Sequence, residues 1–501
     1  MNPKLSFYGL PFTANFLLSS QQDASRQSIN SFGFNFDFNT FREQIKSKLE
    51  DKIGEVTSGW ENFFMSVTAF GIGTNYPSYS DFTLSGVPVT GLNIEINPGI
   101  FYAAFTGSNS QRGINNSSYK RSLYAGRIGL GKKEGTHLFF TGLYAKDDET
   151  SIELAPNNNR LTPKANYVFG TEFKLNLFQE KLSLQSEAAV AVLTRDTRDP
   201  ELEHKSIPSW IKNLVDPRIS TSIDYSYSGK LAYNNNESAT KIALGIKMVG
   251  PGYASLGVPN LRTDQFGYDG KFDQQFFERK ISLGTFYKRS NDNLIKWKRS
   301  TTTTTAYGIN LGFTFPSIPF LRISYSPYSQ KNDDVDLLRK IQNTTSIYSV
   351  ITGYSYQIGD VNSSTSLMFS GQQTKTFTGL DNYRTKSFTV TEAITLNIPL
   401  SFTASWGLIQ TTSVLGYSRI NNFDLGANSQ ITEEWSIMAG INIATQKDLD
   451  RRTGFYLNSI IVPMQGIEID LRADRNIFTE DQFILGNYRE FIFSATLTAS
   501  W

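Results

Sequence analysis

The feature that most constrains this chain is an alternation of apolar and polar residues with a period of two, which recurs in segments from about residue 63 to the last residue. That period places every second side chain on one face of an extended strand, whereas a helix would repeat every three to four residues. The final segment shows it most clearly. Phe491, Phe493, Ala495, Leu497, Ala499 and Trp501 form one wholly apolar face, and Ser494, Thr496, Thr498 and Ser500 form the other, with Ile492 the exception. Likewise Ile242, Leu244, Ile246 and Met248 alternate with Lys241 and Lys247, and Ile467, Ile469, Leu471 and Ala473 alternate with Glu468, Asp470, Arg472 and Asp474. Four charges on one strand face require water or partners, while the apolar faces require a neighbour other than water. The expected fold is all-β: a transmembrane, antiparallel, up-and-down β-barrel with its apolar face to lipid.

Segments of this kind number about 22, within a range of 18–24. The connections support the tally, because short turns alternate with longer links. The short ones fall at Asn97–Gly99, Lys132–Gly135, Phe178–Lys181, Asn234–Glu237, Glu278–Lys280, Pro316–Pro319, Gly359–Ser363, Asn397–Pro399, Ile431–Glu433 and Val462–Gln465. Longer links include residues 75–90, 107–120, 147–165, 194–217, 250–265 and 475–487, and the links near 417–421 and 446–452 are unusually short for that set. Short turns at one membrane face and long loops at the other are the pattern of bacterial barrels. An even strand count returns the C-terminus to the short-turn side, so both termini are expected in the periplasm.

Composition agrees with this reading. The chain has 38 Gly, 24 Tyr and 37 Phe among 501 residues, with 17 Pro and no Cys. Its mean hydropathy of -0.30 is what lipid-facing and lumen-facing residues average to in a barrel. No run approaches the roughly 20 apolar residues of a membrane-spanning helix. A formal charge of +2 implies no nucleic-acid partner.

Residues 1–60 read as a separate N-terminal segment, periplasmic or plugging the lumen, ahead of a barrel over 61–501. Within it Ser31 to Phe38 alternates as a strand. Thr40 and Glu43 then match a capping box opening a helix over about 40–54, whose face Phe41, Ile45, Leu49 and Ile53 needs a surface to dock on. A second short helix is expected between Pro208 and Pro217, with Trp210, Ile211 and Leu214 apolar. The start MNPKLSFYGL lacks the features of a signal peptide, so a processed terminus or a longer parent chain is expected.

Catalytic constellations are scarce. The two histidines, His137 and His204, fall at opposite ends of the expected barrel, which disfavours a shared metal site, and no cofactor or enzyme activity is expected. His204 follows a charged loop from Arg195 to Glu203, which solvation explains as well as catalysis would. Gly126, Gly129 and Gly131 before Lys132 and Lys133 lack the strand-then-helix context of a phosphate loop. The informative residues are the inward polar ones, candidates for lining a pore: Arg127, Glu172, Lys174, Gln185, Glu187, Lys241, Lys247, Arg322, Glu468, Asp470 and Arg472. Both charge signs occur, which suits either weak ion selectivity with a transverse field or pairing across a plugged lumen. Glu392 stands out because it shares a face with Phe388, Val390, Ile394 and Leu396. A register-changing bulge is the first explanation for it, and contact with a partner protein the second.

The closing segment Phe491–Trp501 resembles the last strand of bacterial outer-membrane proteins. The resemblance implies that Phe491, Phe493, Leu497 and Trp501 act as the signal read by the barrel-assembly machinery. The Asn- and Tyr-rich loops, and Gly250-Pro251-Gly252-Tyr253-Ala254-Ser255-Leu256-Gly257, look like those of large Bacteroidota outer-membrane proteins. Outer-membrane lipid and lipopolysaccharide, and a periplasmic or outer-membrane protein, are the further partners this implies. A prefix of about 60 residues departs from TonB-dependent receptors, whose plug exceeds a hundred. The resulting expectation is a porin-like channel for solutes, and the alternative is a non-transporting subunit or anchor of a secretion, assembly or surface-attachment complex.

Overall fold

The computed structural model describes residues 4–7, 10–17, 25–27, 30–36, 66–154, 161–202, 215–447, 449–464, 467–480 and 486–499. Within them the alternating segments become 25 strands: β1 (Lys4–Phe7), β2 (Leu10–Leu17), β3 (Ser31–Phe36), β4 (Val67–Asn75), β5 (Val89–Ile96), β6 (Phe101–Gln111), β7 (Lys120–Gly131), β8 (His137–Asp148), β9 (Ala165–Leu177), β10 (Leu182–Thr194), β11 (Thr221–Asn235), β12 (Thr240–Val249), β13 (Gln265–Phe276), β14 (Ile281–Asp292), β15 (Thr302–Phe313), β16 (Phe320–Asn332), β17 (Gln342–Ile358), β18 (Val361–Lys375), β19 (Tyr383–Thr395), β20 (Leu400–Ser413), β21 (Gly416–Thr432), β22 (Trp435–Gln446), β23 (Asp450–Met464), β24 (Ile467–Glu480) and β25 (Tyr488–Ala499). Each pairs antiparallel with the next, giving one up-and-down sheet.

Three strands precede Val67, and the 22 from there onward match the expected tally. The expected strand near Ser31 is β3, which joins β4 in the same sheet through Gly33–Phe36. The short turns fall close to their expected places. The two unusually short links are the turn Val414–Leu415 and residues 447–449, the first displaced a few residues from its expected position because β21 begins earlier. The two expected helices, His204 and Trp501 lie outside the described residues, apart from the end of the second helix at Val215 to Pro217. Because 25 strands alternate in direction, β1 and β25 run the same way and cannot pair antiparallel; among the described residues no ladder joins them.

Strands β6–β25 run 10 to 17 residues each, enough to cross a bilayer, for which about 9–11 tilted residues suffice. One face of the sheet stays apolar and bare. Leu244 there is 52% exposed and Phe140 is 54% exposed. The other face carries the buried core, and that core occupies only one sector. Tyr102, Leu123, Phe139, Leu143, Val168 and Ala189 of β6–β10 meet Tyr79, Phe82 and Leu84 from the β4–β5 link and Tyr253 from the β12–β13 link. Two long loops therefore fold back onto the polar face.

The bulge expected at Glu392 is absent. β18, β19 and β20 pair in unbroken register, with Glu392 opposite Thr365 on one side and Ala404 on the other. Glu392 stays on the apolar face because Thr365 Oγ1 and Tyr356 Oη donate hydrogen bonds to its carboxylate, at 2.5 and 3.2 Å.

Candidate functional site: two loops packed on the polar face

The β4–β5 link (residues 76–88) and the β12–β13 link (residues 250–264) are tied to each other before either is tied to the wall. Tyr253 Oη donates to the Phe82 carbonyl at 2.8 Å, Ser255 Oγ donates to the Thr83 carbonyl at 2.6 Å, and the Ser85 amide donates to Gly257 O at 2.9 Å. Gly257 is needed at this crossing, since a Cβ there would stand 2.4 Å from the Thr83 carbonyl oxygen. The pair is then anchored to strands. The Phe82 amide donates to Glu187 of β10 at 3.0 Å, and the Gly252 amide donates to Asp224 of β11 at 2.7 Å. Asn166 of β9, fully buried, accepts from the Leu256 amide at 2.8 Å and donates to the Ala254 and Val192 carbonyls, both at 3.0 Å. Burial pushes the phenols of Tyr253 and Tyr79 well above their ordinary range, so both loops present neutral hydroxyls.

Beneath the loops lies a charged cluster. Arg127 of β7, 2% exposed, pairs with Glu172 of β9. Its guanidinium lies 4.6 Å from the Phe139 ring centroid and 5.9 Å from that of Tyr79. Glu172 also takes His137 Nε2 at 3.1 Å, and the imidazole stacks on Phe139 at 4.2 Å. Towards the short turns, Lys133 Nζ reaches Glu95 Oε2 at 3.0 Å, and the same carboxylate oxygen accepts from Tyr102 Oη at 2.9 Å. At the loop edge Lys247 Nζ lies 3.4 Å from Asp81 and 4.9 Å from the Phe82 ring centroid. Arg127, the buried cation, has both a carboxylate and aromatic faces, which is the condition for burying it; Lys133 and Lys247 are paired but part-exposed.

No known family matches the sequence, and no curated protein matches it. Solved structures align with it loosely. The copper transporter OprC aligns with a TM-score of 0.43 at 11% identity, over 87% of this chain and 86% of that one. Pseudomonas aeruginosa OccK9 (OpdG) aligns with a TM-score of 0.32 at 11% identity, over 75% of this chain and 98% of that one. The ferripyoverdine receptor of the Pseudomonas aeruginosa outer membrane aligns with a TM-score of 0.36 at 9% identity, over 87% of this chain but only 64% of its own length. The chain thus spans under two thirds of that receptor.

Of the residues expected to line a pore, Arg127, Glu172, Glu187 and Lys247 come together under the two loops. Lys174 donates to the Glu134 carbonyl at 2.9 Å in the neighbouring short turn. Arg322 of β16 stands apart, over the Phe320 ring at 5.5 Å. Glu468, Asp470 and Arg472 share the polar face of β24, where Arg472 Nε donates to Asp474 at 2.8 Å. Phe491 and Phe493 of β25 are exposed on the apolar face; the side chains of Leu497 and Trp501 are outside the described set. The sequence shows no sign that Glu95, Tyr102, Asn166, Asp224 and the loop residues Tyr79 and Phe82 belong to this site, and it brings in Lys133 and Tyr253 only for other reasons, a glycine-rich stretch and a loop resemblance. Alternation marks the strand residues among these as inward, but nothing in a single sequence signals that residues 76–88 return to cover them.

Proposed function

We propose that this protein is a channel for small solutes in the bacterial outer membrane, narrowed by two of its own long loops. The observation that carries the reading is the division of the polar face. Over β5–β12 the loops and the charged cluster fill it, whereas over β13–β25 the same face keeps Ser, Thr, Asn and charged side chains with no comparable cover among the described residues. A barrel whose interior were only structural would gain by filling that second sector with apolar side chains. Polar lining suits water and dissolved solutes instead. The bare apolar face suits outer-membrane lipid and lipopolysaccharide. In this reading the short turns lie in the periplasm, the long loops face outward, and Phe491, Phe493, Leu497 and Trp501 serve the barrel-assembly machinery.

Liposome swelling tests the reading. Vesicles containing the full chain are expected to swell in isosmotic solutions of small uncharged sugars, with rates falling as the sugar grows. Swelling no faster than in protein-free vesicles for every sugar would overturn it.

A further inference from the structure

A cavity of about 490 Å³ opens on the polar face at the short-turn ends of β12–β15, away from the loop-covered sector. Its charged lining is Lys241 of β12, Lys271 and Asp273 of β13, and Arg279 in the β13–β14 turn. Lys241 belongs to the same face as Lys247, six residues along one strand, so the cavity and the constriction share one interior surface.

The charge balance here differs from that under the loops. There Arg121, Arg127, Lys133 and Lys247 each have a carboxylate partner. In the cavity three cations share one carboxylate: Asp273 is taken by Lys271 Nζ at 2.8 Å and stands opposite Lys241 in the β12–β13 register, and among the described residues no carboxylate forms an ion pair with Lys241 or Arg279. The nearest other charges do not remove the excess. Asp269 stands opposite Lys288 in the β13–β14 register, and Glu278 in the turn is held by Lys280 at 2.8 Å. Two positive charges therefore remain uncompensated beside a hollow of ligand size. The lining adds Asn236, Gln275 and Asn310, whose amides donate to oxyanions as readily as they accept. Gly284 forms part of the wall, where a Cβ would stand 2.9 Å from Asp273 Oδ1 and crowd the carboxylate that orients Lys271.

We infer that this cavity binds the anionic group, carboxylate or phosphate, of a small solute, with Lys241 and Arg279 as its principal donors. Charge-assisted hydrogen bonds from an ammonium and a guanidinium to one oxyanion are stronger than neutral ones, and the polar wall keeps the anion hydrated on its open side. The role assigned to the site, holding anionic solutes at one mouth of the pore, rests on the channel reading; the binding itself does not.

The test is isothermal titration calorimetry on the full, detergent-solubilised chain, with inorganic phosphate and with succinate as separate probes. Saturable binding of at least one probe is expected, weakened about tenfold or more by Lys241→Gln with Arg279→Gln, and unchanged by Lys296→Gln in a loop at the opposite end. Preference for one probe over the other distinguishes phosphate from carboxylate recognition. Heat-modifiable migration on gels verifies that each variant is folded. Absence of saturable binding for both probes, or equal affinity in the double variant, overturns the inference. Failure of vesicles to swell while phosphate or succinate still binds would count against the channel reading alone.

Discussion

Glu392 on β19 accepts a 2.5 Å hydrogen bond from Thr365 Oγ1 on β18, on the face that also carries Phe388 and Val390. A carboxyl on an apolar face is tolerated because Thr365 across the β18–β19 ladder and Tyr356 one strand further on β17 donate hydroxyls to it, while Ala404 on its other side donates nothing. Glu392 and Thr365 should therefore be coupled. In a double-mutant cycle with Glu392→Leu and Thr365→Val, the expected coupling is about 1–2 kcal/mol. The measurement is urea unfolding in lipid vesicles, and additivity within about 0.5 kcal/mol would count against the contact.

The pair formed by Arg127 and Glu172 is the second point of stress. Removing one partner leaves a desolvated charge, so Glu172→Ala is expected to destabilise by about 3–5 kcal/mol. The double change Arg127→Met with Glu172→Leu should cost much less, because it removes both charges. Unfolding midpoints for the single and double variants decide this, and a double variant less stable than the single one would be the contrary result.

Gly257 tests the contact between the loops. A Cβ at this position would meet both the Thr83 carbonyl and Leu143 Cδ1, at 2.4 and 2.6 Å. Gly257→Val should separate the loops at an overpacking cost of about 1–3 kcal/mol. Faster proteolytic cleavage within residues 76–88, with the strands intact, is the expected outcome.

Acidity acts on the far end of the second loop. Asp264 is desolvated, which by itself raises its pKa, but the Lys298 ammonium at 2.5 Å and the amides of Leu294 and Asn293 outweigh this and hold the carboxyl below its ordinary value. A depressed carboxylate stabilises fully above its unfolded pKa, about 3.9, and loses that contribution as pH falls through the folded value. Lys298 is raised by the same contact, so its share is present below about 10.4 and is lost as pH climbs through the raised value. Trp297 Nε1 donates to Asp264 at 3.3 Å and supplies the readout. Its fluorescence is expected to change below the ordinary carboxylate range, and Asp264→Asn should abolish that change.

The fold was legible in the sequence because alternation is local. Each strand of 10 to 17 residues carries its own period-two pattern, and turns such as Phe178–Lys181 announce themselves by position. The pairing of Arg127 with Glu172 followed only in part: both could be placed inward, but not within reach of one another across β8. Less of the candidate site was legible. Phe82 and Glu187 are 105 residues apart, and Tyr253 and Phe82 are 171 apart. Loop return over such separations depends on tertiary packing that no local period encodes. Glu392 shows the converse. The alternation placed it correctly on the apolar face, and the expected bulge came from treating that position as too costly without considering the Thr365 and Tyr356 hydroxyls.

Conduction through the loop-narrowed interior is the central claim, and single-channel recording in a planar bilayer tests it most directly. The intact chain is expected to give small stepwise currents, and a variant with residues 78–86 replaced by a short Gly-Ser linker should give larger ones, because Phe82 and Tyr79 no longer cover the polar face. Silence from both proteins, verified as inserted by protease protection, would contradict the account.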